Sequence, residues 1–254
     1  MLKEELISTG IEKLDKLLEG GTPEGYTVLI IGTPSSGIEI LSKQLATNGK
    51  TLYFTTDETE EEIKDTMQRF GWVKNNVEVI DFASKYSESL LSKEQRRVTL
   101  HEQRSNVKLK ELIKISSSGT PPIAKSSEDF LAILSNKIKT AGKQKIIINS
   151  LDFFLNQSTE DEVIRTIHAA KIFNIQNKGV LYIIMTRDIH GDIFERRIEA
   201  LADCILELEV IQKGTTFERF LAVKKMKNYA KKIGIARYAI DTDGFVLEMI
   251  ERIM

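Results

Sequence analysis

Residues 30–40 read IIGTPSSGIEI, a stretch with the glycine spacing of a phosphate-binding loop. Such a loop has the pattern G-x-x-x-x-G-K-[ST], in which the lysine reaches the β- and γ-phosphates and the hydroxyl binds Mg²⁺. The glycine-spaced part consists mostly of small residues: Gly32, Thr33, Pro34, Ser35, Ser36 and Gly37. Ile38 then stands at the lysine position and Glu39 at the hydroxyl position. We therefore interpret the stretch as a degenerate phosphate loop.

The segments on either side give the loop its structural context. The apolar run 27–31 is typical of a strand that is buried on both faces, and 39–46 has the spacing of a helix. Strand, glycine loop and helix thus follow one another in the order that a phosphate loop requires. Before the strand, the apolar spacing in 11–18 predicts a helix that Ser8 or Thr9 caps.

Predicted strands and helices alternate along most of the chain. After the loop, strands are predicted at 51–56, 77–82, 145–150 and 180–186. Helices are predicted at 59–71, with Thr59 as N-cap, and at 161–174. This alternation indicates an α/β fold with a parallel sheet covered on both sides. From residue 204 onward polar and apolar residues alternate, which predicts antiparallel hairpins that extend the sheet.

Length and composition fit one intracellular globular domain over residues 1–254. The chain has 254 residues, of which 41% are hydrophobic and 29% charged. No apolar run approaches the roughly 18–20 residues of a membrane helix, and the acidic start lacks a secretory signal, so we expect a cytoplasmic location. A single cysteine excludes an internal disulfide and a cysteine-based zinc site. The net charge of −1 gives no general attraction to nucleic acid, although 224–232 is a basic run.

Several longer stretches resemble one known family. Residues 8–37, STGIEKLDKLLEGGTPEGYTVLIIGTPSSG, resemble the opening of KaiC-like members of the RecA superfamily of ATPases. Ordered matches follow at 51–59, 145–154, 201–209 and 221–248. The resemblance implies a RecA-like three-layer α/β/α fold, whose mostly parallel sheet ends in C-terminal antiparallel strands, and an archaeal source. The richness in Lys, Glu and Ile favours a thermophile. Residues 84–126 form an insertion longer than the family pattern.

The resemblance also implies what the altered positions have lost. Ile38 makes no charge-assisted hydrogen bond to phosphate, which costs about 1.5–3 kcal/mol, or about ten- to a hundredfold in affinity. Glu39 adds a carboxylate where the N-terminus of the helix would receive an anion. At the acidic position of the Walker B strand stands Asn149, followed by Ser150. A neutral amide gives no charge to hold Mg²⁺, so two sites have lost charge that the same ion needs.

Other positions keep residues that could act on an anion. Asp57 and Glu58 match the family's acidic pair, one member of which would polarise the attacking water; alternatively they only complement the dipole of a helix start. Lys225 and Lys227 match cationic positions that reach the phosphates of a neighbouring subunit, or else form a solvated basic hairpin. Arg187 follows a buried strand at its carboxyl end, where open α/β sheets bind ligands, and is a candidate anion contact.

We predict a non-catalytic KaiC/RecA-like pseudo-ATPase, a regulatory or adaptor protein that binds a protein or peptide. No metal and no cofactor are expected, and ATP or ADP would bind weakly at most. The resemblance implies a homo-oligomer or association with an active relative, in which Lys225 or Lys227 of a neighbour could pair with Glu39. The main alternative is a nucleotide-binding ATPase with an altered phosphate site and Asp57 or Glu58 as base. Two further alternatives are nucleic-acid binding through the basic run and binding of a peptide in the vacated cleft. A nucleic-acid partner is nevertheless not expected, and neither is a membrane.

Overall fold

The computed structural model describes residues 5–72, 76–106, 129–228 and 234–248. The strands are β1 (Leu6–Ile7), β2 (Thr22–Pro23), β3 (Thr27–Gly32), β4 (Thr51–Thr55), β5 (Val77–Asp81), β6 (Lys145–Asn149), β7 (Val180–Thr186), β8 (Cys204–Lys213), β9 (Thr216–Met226), β10 (Gly234–Asp241) and β11 (Gly244–Glu248). The helices are α1 (Glu12–Leu17), α2 (Ile38–Ala46), α3 (Glu60–Arg69), α4 (Phe82–Asn106), α5 (Phe130–Thr140), α6 (Asp152–Leu155), α7 (Glu160–Asn177) and α8 (Asp192–Leu201).

Nine of these strands form one sheet in the order β11-β10-β9-β8-β3-β7-β6-β4-β5. The strands from β8 to β5 in this order run parallel. The last three strands of the chain add antiparallel pairs at one end. The predicted α/β class, with a mostly parallel sheet extended by C-terminal hairpins, is therefore confirmed.

A separate apolar core covers each face of the sheet. On one face α1, α2 and α3 contribute Leu14, Leu41, Leu45, Ile63 and Met67, together with Phe245 and Leu247 of β11. On the other face α4 to α8 contribute Phe82, Leu134, Phe154, Ile167, Phe194 and Ile198. Strand β3 supplies side chains to both cores alternately, which explains why its sequence is a continuous apolar run. The two cores make the three layers that the sequence predicted.

Helix starts were predicted with mixed success. Thr59 is the N-cap of α3 and forms a capping box with Glu62, as expected. The prediction that Ser8 or Thr9 caps α1 is wrong, because α1 begins after Ile11 without a side-chain cap. The hydroxyls of Ser8 and Thr9 instead donate to the Asp15 carboxylate, at 2.6 and 2.7 Å.

The predicted insertion at 84–126 is described only as far as Asn106, the end of α4. The rest of the insertion lies outside the described residues. Helix α5 begins at Phe130 with Asp129 as N-cap, whose carboxylate accepts from Ala132 N at 3.0 Å. Phe82, the first residue of α4, and Phe130, the first residue of α5, lie side by side in the core, with ring centroids 5.4 Å apart.

Within the described ranges, none of the helices combines the length and the apolar character needed to cross a membrane.

Candidate phosphate-loop site

The glycine-spaced loop at 32–37 connects β3 to α2 at the carboxyl edge of the parallel strands. Gly32 is the last residue of β3, and Gly37 is the N-cap of α2 with a φ of 77°. Ser35 also has a positive φ, 71°, and Ser36 N donates to Thr33 O at 3.1 Å. Glycine tolerates the left-handed conformation at the start of the helix without the Cβ penalty. The predicted order of strand, loop and helix is confirmed.

The C-terminal hairpin braces this loop from outside. Tyr238 of β10 donates its hydroxyl hydrogen to Ser36 O at 2.6 Å. A Cβ atom at Gly37 would overlap Ile240 Cδ1, and one at Gly32 would lie 2.7 Å from Ser36 Oγ. A side chain at either position would therefore displace these neighbouring side-chain atoms, and at Gly37 the φ is left-handed as well.

Ile38 and Glu39, at the lysine and hydroxyl positions of the loop pattern, have different environments. The Ile38 side chain is partly buried and packs against the core that contains α2. Glu39 is exposed in the first turn of α2. The first turn of this helix therefore presents a carboxylate to solvent, next to the N–H groups that have no partner within the helix.

Asn149 uses its amide in a buried hydrogen-bonded chain. Its Nδ2 donates to Tyr53 Oη at 3.0 Å, and Tyr53 Oη lies 2.9 Å from Ser42 Oγ. Ser42 Oγ donates in turn to Glu39 O at 2.9 Å. Burial is the main cause that raises the pKa of Tyr53, so this hydroxyl keeps its proton and can donate it to Ser42. The chain ties the end of β6 to the first turn of α2 with neutral groups.

Ser150, the next residue, is held through its backbone. Its N–H donates to Thr56 Oγ1 at 2.8 Å, and Thr56 Oγ1 donates to Asn149 O at 3.0 Å. These bonds join the ends of β4 and β6, so that the predicted acidic pair and the Walker B position lie side by side.

Glu58 forms an ion pair that the sequence did not reveal. Lys43 of α2 is 2% exposed, and its Nζ lies 2.7 and 2.6 Å from the two carboxylate oxygens of Glu58. Asp57 is exposed, but partial loss of hydration, and then the nearby Asp152 carboxylate, raise its pKa. The two members of the acidic pair thus have different surroundings, one bound to a buried cation and one beside another acid.

A second pair that the sequence analysis missed joins Asp152 to His190. Because β6 ends at Asn149 and α6 begins at Asp152, the chain turns and brings this carboxylate back to the sheet. It accepts from Thr186 Oγ1 at 2.7 Å and from Thr186 N at 3.1 Å, and its Oδ1 lies 2.7 Å from His190 Nε2. No local pattern links the two residues, since 38 residues separate them in the sequence.

Arg187 reaches the loop edge but is already bound by carboxylates. Its N–H donates to Gly32 O at 2.9 Å, which places it beside the loop. Its guanidinium lies 2.9 Å from Glu207 and 3.3 Å from Glu199. Glu207 is buried and is also paired with Lys224. An anion would have to compete with these carboxylates for Arg187.

Lys225 and Lys227 lie at the opposite edge of the sheet. Lys225 Nζ donates to Glu199 O at 3.0 Å at the end of α8, and Lys227 Nζ lies 3.5 Å from Asp203. Asp203 N donates to the O atom of Thr27, the first residue of β3, at 2.8 Å. The loop follows the last residue of this six-residue strand, which spans about 16–20 Å. Neither lysine can therefore reach the loop of its own chain.

Among residues 5–72, 76–106, 129–228 and 234–248, no group of three or more His, Cys, Asp or Glu side chains is arranged to hold a metal ion. The absence of a metal remains a prediction for the whole chain.

Comparisons with known proteins find a matching family model and several partly similar relatives. A family model described as "ATPase: KaiC" matches residues 7–251. A UPF0273 protein of Thermotoga maritima is 35% identical over 86 residues, which cover 32% of this chain and 34% of that protein. A UPF0273 protein of Pyrococcus furiosus is 35% identical over 71 residues, covering 26% and 29%. The DNA repair protein RadA of Escherichia coli is 31% identical over 93 residues, covering 35% and 20%.

The matched stretch thus spans about a third or less of each of these relatives. Among solved structures, a KaiC-like protein of Pyrococcus horikoshii superposes with a TM-score of 0.68 and 16% identity. The superposition covers 97% of this chain and 100% of that one. At this identity the likeness concerns the fold.

Proposed function

Because this chain belongs to the KaiC family of ATPases, we propose that it is a member that has lost magnesium-dependent nucleotide chemistry and acts by binding a protein or peptide. The observation that carries the proposal concerns the lysine and arginine side chains that could replace the missing loop lysine: they are either paired with carboxylates or far from the loop. Lys43 is bound to Glu58 and Arg187 to two glutamates, while Lys225 and Lys227 lie at the far edge of the sheet.

The metal-binding half of the site supports the same proposal. Asn149 carries no charge, and its amide is engaged by Tyr53. Glu39, exposed at the first turn of α2, opposes an anion at the helix terminus by about 0.3–1 kcal/mol. Added to the lost lysine contact of about 1.5–3 kcal/mol, the penalty is about 2–4 kcal/mol, or about 20- to 700-fold in affinity. Nucleotide would therefore bind weakly and without help from Mg²⁺.

A protein partner is proposed because apolar side chains remain exposed beside the altered loop edge. Ile189 and Ile193 follow β7 and are 54% and 76% exposed. They flank His190, which is held at the carboxyl edge by Asp152. Large apolar side chains in solvent are suited to contact with a partner segment. A homo-oligomer, or assembly with an active relative, belongs to the same proposal, since only another chain could bring Lys225 or Lys227 to this loop.

The test is equilibrium binding of ATP and ADP by calorimetry, with and without Mg²⁺, together with a turnover assay. We expect at most millimolar binding, no gain on adding Mg²⁺ and no turnover. Micromolar, Mg²⁺-dependent binding, or turnover that disappears in Glu58→Gln, would refute the proposal. Analytical ultracentrifugation at several protein concentrations would report the assembly state in the same buffers.

The alternative is an ATPase whose phosphate site is completed by a neighbour. Its supporting observation is that Lys225 and Lys227 lie about one strand length from their own loop. This alternative requires turnover that rises with assembly. When wild type is mixed with a Lys225→Met/Lys227→Met chain, the turnover of the wild-type chains should fall in proportion to the fraction of variant. If the protein has no turnover, no such fall can be measured.

A further inference from the structure

The turn between β7 and α8, residues 187–191, has a backbone that its neighbours must hold in place. Asp188 has a φ of 60°, a left-handed conformation that residues with a side chain seldom adopt. Its N–H donates to the carboxylate of Glu195 at 3.0 Å, and Glu195 is buried. The preceding N–H, that of Arg187, donates to Gly32 O at 2.9 Å. Such a conformation persists where surrounding contacts stabilise it.

His190 connects this turn to the body of the protein. Its Nε2 lies 2.7 Å from Oδ1 of Asp152, the first residue of α6. Asp152 is fixed in turn by Thr186 of β7, whose Oγ1 and N–H both donate to its carboxylate. The side chains of His190 and Asp152 are only 14% and 16% exposed, so salt and water screen their interaction weakly. Protonation of the imidazole therefore turns a hydrogen bond to a carboxylate into a stronger ion pair.

The charged groups around His190 are mostly acidic. Asp152 contacts it directly, and Asp57, which follows β4, is close enough for its pKa to be raised first by burial and then by the Asp152 carboxylate. Arg187 is the nearby cation of the turn, and two glutamates bind it. The ring of Phe194 packs edge-on against the imidazole and adds no charge. The turn and the first turn of α8 contribute three further carboxylates: Asp188, Asp192 and Glu195. A charge on the imidazole therefore interacts with carboxylates from α6, from the end of β4 and from α8.

Two exposed isoleucines stand on either side of His190 in the sequence. Ile189 is 54% exposed, and Ile193, in the first turn of α8, is 76% exposed. The direction of the Ile189 side chain depends on the backbone of the turn, because the left-handed Asp188 comes directly before it. Contacts that hold the turn therefore also hold this apolar side chain in solvent.

We propose that the His190–Asp152 pair acts as a pH-sensitive switch that fixes the turn 187–191 when the imidazole is protonated. Histidine is the side chain whose charge changes between pH 5 and 8. At the acidic end of this range the imidazolium and the carboxylate form an ion pair that binds the turn to α6. As the pH rises the imidazole loses its proton, the ion pair is lost, and the turn opens more often.

This switch does not depend on the proposed protein-binding role. If a partner binds at Ile189 and Ile193, however, the same switch makes that binding depend on pH, because opening of the turn moves Ile189.

The experiment is amide hydrogen exchange measured by NMR on ¹⁵N-labelled protein from pH 5.5 to 8.0, with rates corrected for the intrinsic pH dependence of exchange. The reporters are the N–H groups of Asp188 and Glu195, which donate to Glu195 Oε1 and to Gly191 O. Their protection factors should fall by about three- to tenfold across this range, the difference between an ion pair and a neutral donor at a partly buried carboxylate. The imidazole C–H signals of His190 should titrate with the same midpoint.

Two variants remove one charge each. His190→Gln keeps Asp152 and its bonds to Thr186 but has no proton to lose in this range, so protection should stay at the lower level at every pH. Asp152→Asn should also abolish the pH dependence of protection, although His190 still titrates. His168→Gln is the matched control, because His168 is exposed on α7, and it should keep the pH dependence of the wild type.

Equal protection of the wild-type turn at pH 5.5 and 8.0 would overturn the proposal, as would a pH dependence that persists in His190→Gln. Amides of β3 and β7 report on the whole fold in the same spectra. A fall in protection that extends to these strands would show that pH acts on global stability, and would also contradict the switch. Mg²⁺-dependent turnover would refute the proposed loss of catalysis but leave the pH dependence of this turn standing.

Discussion

Replacement of Glu58 by glutamine should destabilise the protein strongly, because it leaves the Lys43 ammonium buried without an opposing charge. Lys43 is 2% exposed and Glu58 28% exposed, so water can hydrate an unpaired Glu58 carboxylate better than an unpaired Lys43 ammonium. Breaking a buried ion pair from one side costs about 3–5 kcal/mol. Lys43→Met should cost less, about 1–3 kcal/mol, because methionine fills the space and Glu58 keeps part of its hydration.

The double variant Lys43→Met/Glu58→Gln should recover much of the loss, since neither charge then remains. The measurement is urea denaturation of the four proteins by circular dichroism, from which the coupling free energy follows. Glu60→Gln is the matched control. It breaks the pair with Lys64, in which both side chains are well exposed, and such i,i+4 pairs contribute only about 0.3–0.5 kcal/mol.

The reasoning would be refuted if Glu58→Gln cost no more than Glu60→Gln. It would also fail if the double variant were as unstable as the sum of the single ones. In the ATPase alternative the same Glu58→Gln change would remove turnover, so stability and activity have to be measured on one preparation.

Tyr53→Phe removes the hydroxyl that Asn149 Nδ2 binds, and should lower the free energy of unfolding by about 1–3 kcal/mol; an unchanged urea midpoint would contradict the buried chain. Burial lowers the pKa of Lys145 from 10.5 to about 8, so between these values the unfolded state binds more protons than the folded state. Stability should therefore rise with pH above about 8, by up to ~1.4 kcal/mol per pH unit, and Lys145→Met should lack this rise in urea titrations at several pH values. Gly37→Ala should cost at least about 1–2 kcal/mol, because φ is positive and the new methyl group overlaps Ile240. If the double variant Gly37→Ala/Ile240→Ala loses as much free energy of unfolding as the two single variants together, the overlap is not the cause.

The parts of the fold that the sequence predicted depend on local patterns. Strands β3 and β7 are continuous apolar runs because helices cover both faces of the sheet at these positions. The N-cap at Thr59 could be recognised because its partner, Glu62, stands three residues away. The loop between β3 and α2 was found from glycine spacing for the same reason: everything that defines it lies within eight residues.

The contacts that the sequence did not predict join residues far apart in the chain. Lys43 on an otherwise amphipathic helix gives no sign that the end of β4 will bring a glutamate to it. In a continuous strand Asp152 would point to the opposite face from Asn149, but β6 stops at Asn149 and the turn brings the Asp152 carboxylate to Thr186.

The short distance between Phe82 and Phe130 has a consequence for how chain length can vary in this protein. Since the two rings are 5.4 Å apart, the segment between them, α4 included, connects two neighbouring points of the core. The entropy of closing such a connection grows only slowly with its length, by about 0.6 kcal/mol for each doubling. Residues could therefore be added or deleted here over many generations at little cost in stability, while a deletion of one residue in β3 would shift every side chain to the wrong face.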